Sequence, residues 1–251
     1  MQATINSSAE ENLESLLPEE QQVTFQIVMV GRDGLVVGSD QLGQHMRAGE
    51  GGRPQIPQTT YQPKYSIGAN RSIVCFAAGG SMAPNVARRI VSELDPESTF
   101  KGITGLEWET AIHQVARTEP IPYLTPVDEL LIIRKDVSDA FWMVARRLAG
   151  QNVVTVTHPQ RHTGCFCTGT NTEALFLPRH LWNANRSVTE LKQIALLALS
   201  YAAQEQPQSV GPPFDIMVLD KSGHMTWTQH TPNNDSFQAG LERLFAECGG
   251  R

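Results

Sequence analysis

The sequence has little of several features that define whole classes of protein. Its 251 residues contain four cysteines, which are too few and too scattered for a disulfide scaffold. It has no run of eighteen apolar residues, which excludes a transmembrane helix. It has no excess of basic residues, and a formal net charge of −6 makes nucleic acid an unexpected partner. We therefore expect a cytoplasmic protein that binds neither membrane nor nucleic acid.

Lysine and arginine are absent from the first 22 residues, which contain five glutamates. A secretory signal needs a positively charged start and an apolar core, so this segment is not one. The stretch Ser8-Ala9-Glu10-Glu11 matches a capping box and predicts a short helix that ends before Pro18. We expect residues 1–22 to be an acidic leader, either a solvated tail or a docking helix. Residues 23–251 are expected to form one domain, because a chain of this size can bury one sizeable core.

The most informative pattern is a predicted β-hairpin near the N-terminus. Residues 25–30 alternate as a strand, and Arg32-Asp33-Gly34 predicts a tight turn. The returning strand, predicted over residues 35–38, delivers Asp40 near the start of the first strand. The hydroxyl of Thr24 and the carboxylate of Asp40 are thereby predicted to converge as a candidate site.

The remaining elements are predicted in groups along the chain. Residues 41–63 have no apolar period and predict a long loop. The other elements are a strand at 72–78, helices at 82–94 and 105–117, strands at 129–134, 140–144 and 152–157, a helix that opens at the capping box 187–190, strands at 214–219 and 225–228, and a final helix over 237–245. This grouping favours stacked sheets with helical layers outside over a βαβ winding.

A second constellation contains His158, His162, Cys165 and Cys167, which could in principle ligate zinc. The two cysteines, however, fall on one face of a predicted strand, where cysteine serves as a small buried apolar residue. The gaps between the four residues also differ from common zinc-finger spacing. We therefore expect no metal and no other cofactor.

Several segments, taken in order, resemble proteasome subunits. They are the hairpin over residues 31–40, the apolar strand that ends in Phe76-Ala77-Ala78-Gly79-Gly80, and the late helix followed by the stretch 209–218. With the opening strand before the hairpin, these segments run in order from about residue 23 to 220. The resemblance implies an α+β fold, the four-layer αββα sandwich of two stacked antiparallel sheets found in N-terminal nucleophile hydrolases. It also implies self-association, or association with homologous subunits, into stacked rings.

The resemblance further implies a set of site residues. The nucleophile of that family is the threonine that heads the first strand, and Thr24 falls at this position. Its own α-amine, once freed by cleavage, would be the base. The buried aspartate of the returning strand matches Asp40, and the family's lysine matches Lys64, whose charge would lower the proton affinity of the neighbouring amine and hydroxyl.

Two further parts of that site come from the resemblance alone. Thr168-Gly169-Thr170 is similar to the family's Thr-Gly-Ser turn, so the hydroxyl of Thr170 would support the nucleophile. A backbone N–H near Gly79 or Gly80 would donate to the oxyanion, since the missing Cβ permits close approach.

Two functions follow, and the sequence leaves both open. The first is a threonine-type endopeptidase in a degradation chamber, which cuts unfolded polypeptide once residues 1–23 are removed, with or without an ATPase unfoldase. The second is a non-catalytic structural or assembly subunit of a proteasome-like ring. Val23 motivates the second, because cleavage in this family normally follows a glycine. So does the late helix, where the family has another aspartate and this chain offers only Glu205.

Overall fold

The computed structural model describes the chain in several separate ranges between residues 24 and 246. They are residues 24–47, 56–69, 71, 73–78, 87–88, 91–92, 127–134, 139–148, 151–157, 164–169, 176–231, 239, 242 and 246. Within them the chain forms two five-stranded sheets, a two-stranded sheet and two helices of six residues or more. The leader and the predicted helix at 105–117 lie outside these ranges.

The first sheet contains the N-terminal hairpin. Its strands are β1 (Phe25–Val30), β2 (Gly34–Asp40), β10 (Cys165–Gly169), β11 (Phe214–Asp220) and β12 (Met225–His230). They lie in the order β10-β1-β2-β11-β12, and every neighbouring pair is antiparallel. The hairpin and the late strand pair, both predicted from the sequence, are thus neighbours in one sheet.

The second sheet contains strands from the middle of the chain. They are β5 (Tyr65–Ile67), β6 (Ile73–Ala78), β7 (Val127–Arg134), β8 (Asp139–Leu148) and β9 (Gln151–Thr157). They follow one another in chain order, and all pairs are antiparallel. An antiparallel meander of this kind agrees with the grouped strands of the sequence and not with βαβ winding.

The predicted loop over residues 41–63 is wrong. The chain forms β3 (Leu42–Arg47) and β4 (Ile56–Tyr61), which pair as a separate antiparallel two-stranded sheet. The side chains of Thr59 and Tyr61 are exposed. The sequence of the two strands lacks the alternation of apolar and polar residues by which strands are recognised.

Two helices lie after β10 in the chain. The sequence did not predict α1 (Phe176–Leu181) but did predict α2 (Val188–Glu205). The capping box forms as expected: Glu190 N donates to Ser187 Oγ at 3.4 Å, and Ser187 N donates to Glu190 Oε2 at 2.8 Å.

The turn between β1 and β2 is tied to the start of α2. The Val188 N–H donates to Asp33 Oδ1 at 2.8 Å, and the Lys221 N–H donates to the Asp33 carbonyl at 2.9 Å. Gly34 has a φ of +155°, and a Cβ at this position would collide with the carbonyl oxygen of Leu219. The predicted turn residues therefore also contact two segments that are distant in the chain, the start of α2 and the end of β11.

The two faces of the first sheet pack against different layers. One face carries Phe25, Ile27 and Met29 of β1 and packs against the buried side of α2. The other face carries Val28 of β1 and packs, with its neighbours, against the second sheet in one apolar cluster (Val28, Leu35, Val37, Val74, Phe76, Leu131, Ile133, Met217, Leu219). The sheets are therefore stacked, with α2 outside the first. In the described ranges no helix is long and apolar enough to cross a membrane.

The contact between α2 and the first sheet is close. A Cβ added to Gly38 in β2 would lie 2.9 Å from Leu199 Cδ1 of α2 and 3.2 Å from Ile27 Cγ2. Glycine at this position lets the helix approach the strand, as interior packing densities require.

Candidate functional site

Polar side chains gather where β1 begins and β2 ends. Thr24 directly precedes β1, and only 6% of it is exposed. The strand register sets Gln26 opposite Ser39, which brings Asp40 beside Phe25. The Phe25 N–H donates to Asp40 Oδ1 at 3.0 Å. The carboxylate thus accepts a hydrogen bond from the peptide group that joins Thr24 to Phe25.

Lys64 completes a buried ion pair with Asp40. Its Nζ lies 2.8 Å from both carboxylate oxygens, and the Leu42 N–H donates to Asp40 Oδ2 at 3.1 Å. The Asp40 side chain is fully buried and that of Lys64 is 10% exposed. A pair removed from water in this way is held by direct contact and by the added N–H donors, which satisfy the remaining lone pairs.

Burial and charge act in opposite directions on this pair. Burial raises the pKa of the Asp40 carboxyl, while the Lys64 ammonium and the N–H groups of Phe25 and Leu42 act to lower it. Burial lowers the pKa of the Lys64 ammonium, while the Asp40 charge acts to raise it. The result is a cation that holds its proton less tightly than an exposed lysine does, on the carboxylate that also accepts from the Phe25 N–H.

Gln26, which the sequence analysis did not single out, holds the backbone around this pair. Its side chain is fully buried, and Nε2 donates to the Ala77 carbonyl at 3.0 Å and to the Lys64 carbonyl at 3.5 Å. The Ala77 N–H also donates to the Lys64 carbonyl, at 2.8 Å. The one available signal was a polar residue inside the otherwise apolar run of β1.

A second polar group lies between the sheets, close to the first. Gln41 Nε2 donates to Asp215 Oδ2 at 2.8 Å, and the register sets Asp215 opposite Ser39. Burial raises the pKa of Asp215, and the bond from Gln41 opposes this rise. Tyr65 stacks on Trp227 with ring centroids 4.3 Å apart, and the Asp215 charge adds to burial in raising the pKa of Tyr65. Sequence reasoning had no signal for this group.

Three of the predicted site residues fall outside the described ranges: Thr170, Gly79 and Gly80. The strands that lead to them are described. Gly169, the last residue of β10, pairs with Phe25, and β6 ends at Ala78 next to the Ala77 carbonyl that Gln26 binds. The two strands that precede these residues therefore end beside the start of β1.

The alternative zinc constellation has two members in β10, Cys165 and Cys167, and the first of them is a core residue. Cys165 is 5% exposed within the apolar cluster below α2, and burial raises the pKa of its thiol to about 12. His158 and His162 lie outside the described residues. In the ranges that are described, no group of three or more histidine, cysteine or acidic residues is placed to hold a metal ion.

Comparisons with known proteins identify the fold. No protein-family profile matches the chain. A search of curated proteins by sequence also finds no match. Among solved structures, Anbu from Hyphomicrobium sp. strain MC1 superposes with a TM-score of 0.59 at 14% identity, over 91% of this chain and 98% of that one. Anbu, an ancestral β-subunit, from Yersinia bercovieri gives 0.59 at 16% identity, over 91% and 97%.

A third structure, the helical assembly of the Anbu complex from Pseudomonas aeruginosa, gives a TM-score of 0.55 at 14% identity. It covers 90% of this chain and 94% of the other. The matches span nearly the full length of both partners, so the likeness concerns the whole fold and not a shared motif. The chain has a proteasome-like fold, similar to that of the Anbu proteins.

Proposed function

We propose that the protein is a subunit of a proteasome-like, self-assembling degradation chamber, and that it is a threonine-type endopeptidase once the peptide bond before Thr24 is cut. The observation that carries the proposal is the buried Lys64–Asp40 pair bonded to the Phe25 N–H. Buried ion pairs contribute little net stability and cost much when either partner is lost. Perturbed charges of this kind cluster at functional sites.

The proposed reaction is acyl transfer through the Thr24 hydroxyl. The free α-amine of Thr24 takes the Oγ proton while Oγ attacks the peptide carbonyl carbon. Backbone N–H groups near Gly79 and Gly80 donate to the oxyanion, and the amine then returns the proton to the leaving nitrogen. Water hydrolyses the resulting ester and regenerates Thr24. Lys64 favours the neutral amine by charge repulsion, Asp40 holds Lys64, and Thr170 orients the hydroxyl.

The proposed assembly rests on the fold. The Anbu structures share the fold over nearly their whole length, and one of them is a helical assembly. We propose that copies of this chain, or homologous subunits, associate into a ring or helical chamber in the cytoplasm. Each subunit would complete a four-layer αββα sandwich in which further helices cover the outer face of the second sheet. Unfolded polypeptide is the proposed substrate.

The catalytic proposal is tested on the protein as purified from its native host. Intact-mass spectrometry is expected to find a chain that begins at Thr24, and a threonine-directed electrophile is expected to label Thr24. Peptide hydrolysis should vanish in Thr24→Ala and persist in Thr228→Ala, a matched control on the exposed side of β12. A chain that keeps residues 1–23 and never labels at Thr24 contradicts the endopeptidase.

That same result would support the alternative, a non-catalytic assembly subunit. Its structural basis is the end of α2, where the resemblance calls for an aspartate and the chain has the exposed Glu205 followed by Gln206. Gln206 Oε1 is buried and has no hydrogen-bond partner among the residues described. Both functions require assembly, so sedimentation that stays monomeric at micromolar concentration contradicts both.

A further inference from the structure

The side chain of Gln26 crosses from one sheet to the other. Gln26 belongs to β1 in the first sheet, and the carbonyl it binds belongs to Ala77 of β6 in the second. The next inward residue of β1, Val28, lies in the apolar cluster between the sheets. A fully buried amide beside such a cluster is costly unless its donors are satisfied, which fixes its position.

Two donors, one of them the Gln26 amide, meet at the Lys64 carbonyl. The Lys64 carbonyl accepts from the Ala77 N–H at 2.8 Å and from Gln26 Nε2 at 3.5 Å. One residue before Gln26, the Phe25 N–H binds the carboxylate that holds the Lys64 ammonium. Two consecutive residues of β1 therefore contact the two partners of the Lys64–Asp40 ion pair. Phe25 contacts the Asp40 carboxylate, and Gln26 contacts the backbone of Lys64.

We propose that Gln26 is a positioning residue, whose amide fixes the Lys64 backbone against β1 so that the ammonium stays seated on Asp40 beside Thr24. A lysine side chain has four rotatable bonds, so its ammonium is well placed only if its backbone is. Without the amide donor, Lys64 can shift towards solvent, and both its distance from Asp40 and its desolvation change. The role in catalysis rests on the proposed function, whereas the effect on Lys64 does not.

The direct test is a titration of Lys64 in the full chain. The sequence has five lysines, so protein labelled with ¹³C at lysine Cε gives five resonances, and Lys64→Arg assigns the relevant one. The variants are Gln26→Met, which keeps the length and removes the donor, and Gln26→Asn, which keeps the amide one carbon short. The matched control is Gln41→Met, which removes a buried amide bonded to Asp215 and not to Lys64.

Both Gln26 variants are expected to raise the titration midpoint of Lys64 towards that of an exposed lysine, because the burial that lowers its pKa outweighs the Asp40 charge that raises it. Gln41→Met should leave it unchanged. An unchanged midpoint in the Gln26 variants, or an equal shift in Gln41→Met, overturns the proposal. If Gln26→Met does not fold, Gln26→Asn decides, since it retains a polar side chain at the site.

Catalysis gives a second readout on the protein as purified. Gln26→Asn is expected to lower kcat about tenfold while KM changes less than twofold, because misplacement affects reaction more than binding. An equal loss in Gln41→Met overturns the positioning role. If the wild-type protein hydrolyses no peptide, the proposed function fails, and the Lys64 titration still tests the contact made by Gln26.

Discussion

The two faces of the first sheet, compared along β1 and its neighbours, differ in the polarity of the side chains that they bury. The face under α2 is apolar along its length, with Phe25, Ile27 and Met29 all fully buried. The face towards the second sheet is apolar from the turn to its middle, around Val28. At the end of the hairpin opposite the turn it carries Gln26, next to the Lys64–Asp40 pair. Both faces exclude water, but only one contains groups that must be paired.

The two kinds of buried side chain contribute differently to the stability of the fold. Burial on the α2 face is favourable for every side chain, at about 25 cal/mol per Å² of apolar surface. The polar groups on the other face are stable only as a connected set, because each is costly to bury alone. Such a set contributes little net stability, which supports the chemical role proposed for the start of β1.

The largest expected effect comes from breaking the ion pair. Asp40→Asn leaves the Lys64 ammonium almost fully buried without a counter-charge and should lower the free energy of unfolding by about 3–5 kcal/mol. Urea denaturation at pH 7 measures this loss. Glu190→Gln, which breaks the partly exposed pair of Glu190 with Arg186 and keeps an acceptor for Ser187, is the control and should change stability little. An equally small loss in both variants would contradict a pair held out of water.

A smaller effect is expected on the apolar face. Gly38→Ala places a methyl group against Leu199 and Ile27 and should cost about 1–3 kcal/mol through overpacking. The double variant Gly38→Ala/Leu199→Ala should lose less than the sum of the two single variants, because the new methyl group enters the space vacated by the leucine. Urea denaturation of all four proteins gives the coupling energy. If the two losses in the free energy of unfolding are strictly additive, the new methyl group is accommodated by a shift of α2 away from β2 and not by the space that Leu199 vacates.

The smallest effect is a pH dependence at Asp215. Burial raises its folded-state pKa above the ordinary value of 3.8, so its contribution to stability is complete below that value and is lost as pH rises through the folded pKa. Asp215→Asn removes this dependence and keeps an acceptor for Gln41. The variant should therefore gain stability relative to wild type between pH 3.5 and 7, measured as urea midpoints. A constant difference across that range contradicts the raised pKa.

Sequence alone was sufficient where the signal is local. The β1–β2 hairpin and α2 were predicted because a turn motif and a capping box mark their ends. The ribbon of β3 and β4 was missed because the sequence of its strands lacks an alternation of apolar and polar residues. Helix α1 was missed too, and its six residues are too few to show a helical period.

The site was less predictable because its contacts are distant in the chain. Gln26 binds a carbonyl 51 residues away, and Gln41 binds a carboxylate 174 residues away. No local pattern encodes such pairs, since they exist only after the two sheets stack and β11 joins β2. Thr24 and Asp40 were predicted from the local hairpin pattern, whereas Lys64 was proposed only through a resemblance. The Asp40–Lys64 contact depends on the course of the chain through β3 and β4.

The turn at Asp33 has a consequence for how the molecule folds. Its side chain binds the Val188 N–H from 155 residues away, and its carbonyl binds the Lys221 N–H. The N-terminal end of α2 is therefore completed only when the earliest hairpin has met the late part of the chain. Closing loops of that length is entropically expensive and slows folding. We expect α2 and the hairpin to become ordered in the same late kinetic step, after the central meander has formed from its chain-adjacent strands.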